Sequence, residues 1–230
     1  MNLGDLAYVD LERLRDPVHV LPLGATEPHG PHAPLSTDTL ISVGICRRAA
    51  ERLRGEIDVV VLPPLPYGVT RYGGAFAGAV GIGEEALRAL VTGIARQLDR
   101  VVLVNSHFEP EQVQTLRETG VPLLDLTRRA NAERLTEEFR SGSCHAGRYE
   151  TSLVLAEQPE LVHLDRMRAL EAKIVDMPAG IAAGRTDFLA LGMDEAYCGS
   201  PADASAEEGV QTFETLTELL AELIREVARQ

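Results

Sequence analysis

The chain has 230 residues, 45% of them hydrophobic, with 22 Lys and Arg against 35 Asp and Glu and a formal net charge of −13. That length and apolar content suffice for a full core, and no Pro/Ser-rich linker or composition shift divides residues 1–230, which read as a single domain. The acidic balance argues against docking on phosphate backbones or anionic lipid, and no basic leader or membrane-length apolar run is present, so a cytoplasmic protein without nucleic-acid or membrane partners is expected.

In chain order, His19 to Leu23 reads as a short buried strand within the apolar run Val18 to Leu23. Leu40 to Leu53 has apolar positions at helical spacing, and Val59 to Leu62 is a second strand ended by Pro63 and Pro64. Leu65 to Gly83, rich in Gly, Pro and Tyr, is expected to be a long ordered loop. Glu84 to Leu98 reads as an amphipathic helix with acids in its first turn, Val101 to Val104 as a strand, Pro110 to Thr119 as a helix and Val121 to Leu126 as a fourth strand. A helix near Thr127 to Phe139, a loop from Ser141 to Arg148 and a helix beginning near Glu150 follow. Lys173 to Ala204 reads as irregular, and Glu207 to Arg229 as a long closing helix. Strands alternating with helices predict an α/β fold with a mainly parallel central sheet and helices on both faces.

Chemistry concentrates after two of the strands. Glu27, His29, His32 and Asp38 lie in a Gly/Pro-ordered loop after the first, and His107 and Glu109 follow Val101 to Val104. In parallel sheets ligands bind at the carboxyl ends of strands, so the two clusters are expected to meet. Glu27, His29, Asp38, His107 and Glu109 offer three carboxylates and two imidazoles, more than one structural zinc requires, and the surplus predicts two divalent ions, zinc, manganese or iron. Such a pair brings water's pKa down to about 7 and polarises the carbonyl to be attacked. His145 is the candidate proton donor for a leaving nitrogen, and Glu150 supplies a further carboxylate. Cys46, Cys144 and Cys198, odd in number and widely spaced, are expected to be reduced thiols.

Taken together, Glu27-Pro28-His29-Gly30-Pro31-His32 with Asp38, Asn105-Ser106-His107, and His145-Ala146-Gly147-Arg148-Tyr149-Glu150-Thr151 resemble the creatininase (creatinine amidohydrolase) family. His107-Phe108-Glu109 is similar to the His-Tyr-Glu form of creatininase itself. The resemblance implies a three-layer fold and a metal-dependent amidohydrolase that uses hydroxide to cleave a C–N bond other than an ordinary peptide bond in a small amide, cyclic amides included. It implies that Glu27 and His107 hold one metal, His29 and Glu109 the other, with Asp38 between them, that His145 and Glu150 are catalytic, and that the protein is a homo-oligomer, commonly a hexamer.

Two departures bear on the substrate. The chain has no Trp, the residue with which creatininase closes on creatinine, and Phe108 lacks the hydroxyl of the Tyr in the His-Tyr-Glu form. His32, Phe108, Tyr72 and Cys144 are the candidate substrate-binding residues, and Arg71, Tyr72 and Arg148 offer groups for a substrate anion. His32 has a structural alternative as a hydrogen-bonding loop residue, and Glu150 one as an acid favoring a helix start. A family deformylase or peptidase of cofactor or peptide maturation is a second expectation, and a non-catalytic metal-binding assembly protein a third.

Overall fold

Runs of buried Val and Leu set the sheet. In the computed structural model, which describes residues 1–230, the strands are β1 (Val18–Leu23), β2 (Val59–Val61), β3 (Val101–Asn105) and β4 (Leu123–Leu124). They pair in the order β2-β1-β3-β4, all parallel, with His19 opposite Val60 on one side and Val101 on the other. Strands covered on both faces have no use for alternating polarity, which is why β1, β2 and β3 are buried at every position.

The helices are α1 (Tyr8–Leu11), α2 (Thr37–Arg52), α3 (Glu84–Ala95), α4 (Pro110–Glu118), α5 (Arg129–Ala132), α6 (Glu137–Ser141), α7 (Arg148–Glu157), α8 (Leu164–Arg168), α9 (Met177–Ala182) and α10 (Ala206–Ala228). None is long and apolar enough to cross a membrane. Val18, Val20, Val102 and Val104 point to one face and join Ile41, Ile45, Leu153, Phe213 and Leu220 of α2, α7 and α10 in the main core. Leu21, Leu23 and Leu103 point to the other and meet Leu87, Val91 and Leu116 of α3 and α4. The expected three-layer α/β architecture is therefore the one observed. Each such side chain contributes about 1.5–3 kcal/mol by burial.

Several boundaries differ from expectation for local reasons. α2 begins at Thr37 rather than Leu40, which places Asp38 in a helical first turn. β4 shrinks to two residues at the sheet edge, and the helix expected over Thr127 to Phe139 is broken into α5, which ends at Ala132, and α6, which Thr136 caps by accepting the Phe139 N–H. Residues 173–204, expected to be irregular, contain α9 and a short 3-10 turn at Pro201–Asp203.

α7 and α10 cross so closely that Gly209 rests against the carbonyl of Ser152, where a Cβ would have no room. Gly209→Ala is expected to force these helices apart and destabilise the protein by about 1–3 kcal/mol or more, read as a lower midpoint in thermal or urea unfolding. An unchanged midpoint would mean that the crossing yields freely.

Candidate metal centre and active site

The winding direction of the sheet reverses between β1 and β3, and the crevice beyond their carboxyl ends is where side chains from both following loops converge. Glu27 and His29 come from the loop after β1, Asp38 from the first turn of α2, and His107 and Glu109 from the loop after β3. His145 and Glu150 are brought by the turn into α7. All seven are buried.

Asp38 is shared. Its Oδ1 is 3.1 Å from His29 Nε2 and its Oδ2 is 3.1 Å from His107 Nδ1, so the two imidazoles approach opposite oxygens of one carboxylate. Glu27 Oε1 lies 3.1 Å from His107 Nδ1, and Glu150 Oε2 lies 3.6 Å from His29 Nε2. Two groups result, Glu27–Asp38–His107 and His29–Asp38–Glu150, each with ligand atoms within 4.8 Å of one another. A third such group joins Glu27, His29 and His145.

The expected pairing of His29 with Glu109 is not the one the structure makes. Glu150, expected as a catalytic carboxylate, stands beside His29 and Asp38 instead. The Glu109 carboxylate is held apart, accepting the N–H groups of Arg71 at 3.0 and 2.9 Å and of Tyr72 at 3.3 Å, with His107 Nε2 at 3.9 Å. The long loop after β2 therefore takes up Glu109, and the helical phase of α7 turns Glu150 toward His29. Neither effect is visible in the spacing of the motifs.

The donors fit divalent cations. His107 donates its Nε2–H to the Val69 carbonyl at 2.7 Å and His29 donates its Nδ1–H to the Glu27 carbonyl at 3.1 Å, so the remaining nitrogen of each ring faces the carboxylates. Backbone anchoring of the outer nitrogen is the usual way a ligating imidazole is oriented. Glu27 Oε2 and Asp38 Oδ2 are buried and accept no hydrogen bond, a cost that a cation would remove. The set is oxygen and imidazole without thiolate, which suits zinc, manganese or iron.

The charges act strongly on each other. Burial opposes the His29 imidazolium, but the charge and hydrogen bond of Asp38, with Glu150 and Glu27, outweigh it and lift its pKa to about 10. His107 is raised well above its usual value, against burial, by Glu27 and Asp38. Burial also opposes ionisation of Asp38 and Glu27, yet His29 and His107 hold Asp38 low and His107 holds Glu27 low. Burial pushes Glu150 up to about 8 and Glu109 up to about 7, although His107 and the Arg71 and Tyr72 amides favour the Glu109 anion. His145 is lowered to about 4 by burial and then by the charge of His29. It donates its Nε2–H to the Pro28 carbonyl at 3.0 Å, and its Nδ1 faces Glu27 Oε1 at 3.9 Å.

The remaining candidates divide. Tyr72, Phe108, Cys144 and His145 line a cavity of about 310 Å³ together with Phe139, Met177, Ile181 and Phe188, and the carboxylates of Glu27, Asp38, Glu109 and Glu150 line it as well. Phe188 packs on the His145 ring with centroids 4.4 Å apart. Burial raises the Cys144 thiol well above its usual range, which opposes a thiolate. His32 does not line this cavity; it is fully buried, with Nε2 2.8 Å from the Thr151 hydroxyl. Arg71 is paired with Glu84 and Glu111, and Arg148 with Glu208, and neither side chain lines this cavity.

Gln112 was not anticipated. It accepts the Val69 N–H at 2.8 Å and donates to Asn105 Oδ1 at 3.0 Å, while Asn105 donates to the His107 carbonyl. A fully buried amide on the same helix face as Val113 and Leu116 fixes the loop that orients His107. Its place on an apolar helix face was the available signal.

Comparison with known proteins follows the same lines. A family model described as creatinine amidohydrolase matches residues 4–224. The chain is 34% identical to the mycofactocin precursor peptide peptidase of Mycobacterium ulcerans (strain Agy99), over 99% of this chain and 92% of that protein. It is 30% identical to creatinine amidohydrolase of Pseudomonas putida, over 97% and 96% of the two. Among solved structures, a manganese creatininase superposes with a TM-score of 0.71 at 28% identity, and a zinc–zinc form of a creatininase variant with 0.72 at 28%, each over 98% of this chain and 97% of the other.

Proposed function

The chain belongs to the creatinine amidohydrolase (creatininase) family and is a hydrolase acting on carbon–nitrogen bonds; from that premise we propose that it uses two divalent ions to cleave an amide bond in a peptide. The observation that carries the two-ion reading is the Asp38 carboxylate, addressed on opposite oxygens by His29 and His107. Glu27, Asp38 and His107 would hold one ion, and His29, Asp38 and Glu150 the other. When bound, such a pair makes water nucleophilic at neutral pH and polarises the carbonyl under attack.

The protein side chains supply the proton chemistry. Glu109 lines the cavity and has a pKa raised to about 7, so it exchanges a proton near neutrality, which suits a carboxyl that takes a proton from water and returns it to the leaving nitrogen. The Arg71 and Tyr72 amides hold it in place. His145 is anchored through Nε2–H and leaves Nδ1 facing Glu27, where it would accept a hydrogen bond from the substrate or the attacking water and orient the reacting groups. This gives the proton-donor role expected of His145 to Glu109. Phe188, packed on His145, and Phe108 and Phe139 exclude water from that side.

For the substrate, the cavity volume favours a peptide. About 310 Å³ walled by Phe, Met and Ile side chains falls in the range that holds drug-sized ligands, larger than a single small ring requires, and no Trp is present to stack on creatinine. The similarity to precursor peptide peptidases over nearly the whole chain points the same way. Small cyclic amides remain the second reading, favoured by the His107-Phe108-Glu109 segment. With both metals loaded, the protein is expected to cleave short peptides bearing apolar or aromatic residues at the scissile bond and to turn over creatinine poorly, measured by mass spectrometry of the products and a creatine assay. Efficient creatinine hydrolysis with no peptide cleaved would reverse the assignment.

A further inference from the structure

Glu138 lies outside the sequence motifs, yet its carboxylate ties together two segments on which the site depends. It lies in α6, next to the cavity residue Phe139. Its Oε1 accepts the N–H of Tyr149 at 2.8 Å in the first turn of α7, and its Oε2 accepts the N–H of Ser200 at 2.8 Å. Ser200 directly follows Gly199, which pairs with Lys173 and so closes the base of the segment carrying Met177, Ile181 and Phe188 over the cavity. The carboxylate is enclosed on both sides. A Cβ on Gly147 would lie 2.5 Å from Oε1, and one on Gly199 would lie 2.5 Å from Oε2.

α7 has no capping side chain of its own, because its N-cap is Gly147. Glu138 thus supplies from another helix the acceptor and negative charge that a helix start favours. The turn it secures is strained. Ala146, between His145 and Gly147, has φ of +51, and its N–H is bonded to Glu150 Oε2 at 2.7 Å. A non-glycine residue in that conformation persists only where its surroundings hold it. Here the surroundings are Glu150, itself one of the metal-site acids, and Glu138 behind it.

We propose that Glu138 is a positioning residue that holds the first turn of α7 so that Glu150 completes the His29–Asp38–Glu150 group, and that it thereby sets the affinity of that one metal position. The Glu27–Asp38–His107 position is built from the loops after β1 and β3 and the start of α2, with no group from α7. The proposal rests on the two-ion reading above.

The test is a zinc titration of metal-free protein against a chromophoric chelator, comparing wild type with Glu138→Gln. Glutamine keeps the size but removes the charge and turns one acceptor into a donor facing a backbone N–H. Wild type is expected to bind two zinc ions. The variant is expected to hold the first within about twofold of wild type and the second about 10- to 100-fold more weakly, with an altered cobalt absorption spectrum at the second equivalent only. Glu138→Ala, which removes both acceptor oxygens and adds no atom, is expected to give the same split and serves if Glu138→Gln folds poorly. A lower thermal midpoint with both affinities unchanged, or equal weakening of both ions, would overturn the positioning role alone. A wild type that binds a single ion would overturn the two-ion reading and this inference with it.

Discussion

Asp38→Ala is expected to empty both metal positions and to lower kcat/KM by about a thousandfold or more, because one carboxylate serves His29 on one oxygen and His107 on the other. Elemental analysis after gel filtration should find less than one equivalent of zinc or manganese in the variant and about two in the wild type. Asp38→Asn tests charge apart from shape: the amide fills the same space but cannot share a negative charge between two ions, and it should resemble the alanine variant. Circular dichroism must show the fold intact, since Asp38 also favours the start of α2 as an acid in its first turn. If one ion stays tightly bound in either variant, Asp38 belongs to a single position.

The second large effect concerns Glu109 and separates proton transfer from metal binding. Glu109→Gln should leave both ions bound and lower kcat by roughly two to four orders of magnitude, the range for a lost general acid or base. KM should change little if the side chain acts on the reacting atoms rather than on remote parts of the substrate. The glutamine oxygen still accepts an N–H from Arg71 or Tyr72, so the loop after β2 should keep its place. Substrates with better leaving groups should suffer a smaller loss. Were the variant to lose one ion along with activity, Glu109 would be a ligand as the motif resemblance implied, and Glu150→Gln would then be the variant that keeps its metal.

The proposed division of roles between Glu109 and Glu150 has a physical logic. A carboxylate that ligates must give its oxygens to a cation, whereas one that carries protons must face the substrate with its oxygens clear of the cations. Glu109, held by the Arg71 and Tyr72 amides and outside both ligand groups, is the proton carrier in this proposal. Glu150, 3.6 Å from His29 and hydrogen-bonded only to the Ala146 N–H, meets the first.

The sequence by itself determined the elements whose signals are local. The valine runs of β1, β2 and β3 specify strands buried on both faces, and the alternation with amphipathic helices specifies parallel pairing. Motif content was equally legible: the candidate residues Glu27, His29, Asp38, His107, Glu109, His145 and Glu150 are brought to one crevice. Only the tertiary structure decided which carboxylate stands beside which imidazole. That choice depends on the helical phase of α7, on the capture of Glu109 by the amides of residues 71 and 72, and on the earlier start of α2 that turns Asp38 between two histidines. It also decided that Arg71 and Arg148 lie outside the cavity in surface ion pairs, that His32 ties its loop to Thr151, and that Gln112 and Glu138 tie loops to helices. These contacts join residues far apart in the chain, some as ion pairs at the surface and others as buried hydrogen bonds at about 3 Å. Residue type and local spacing carry no record of such distances.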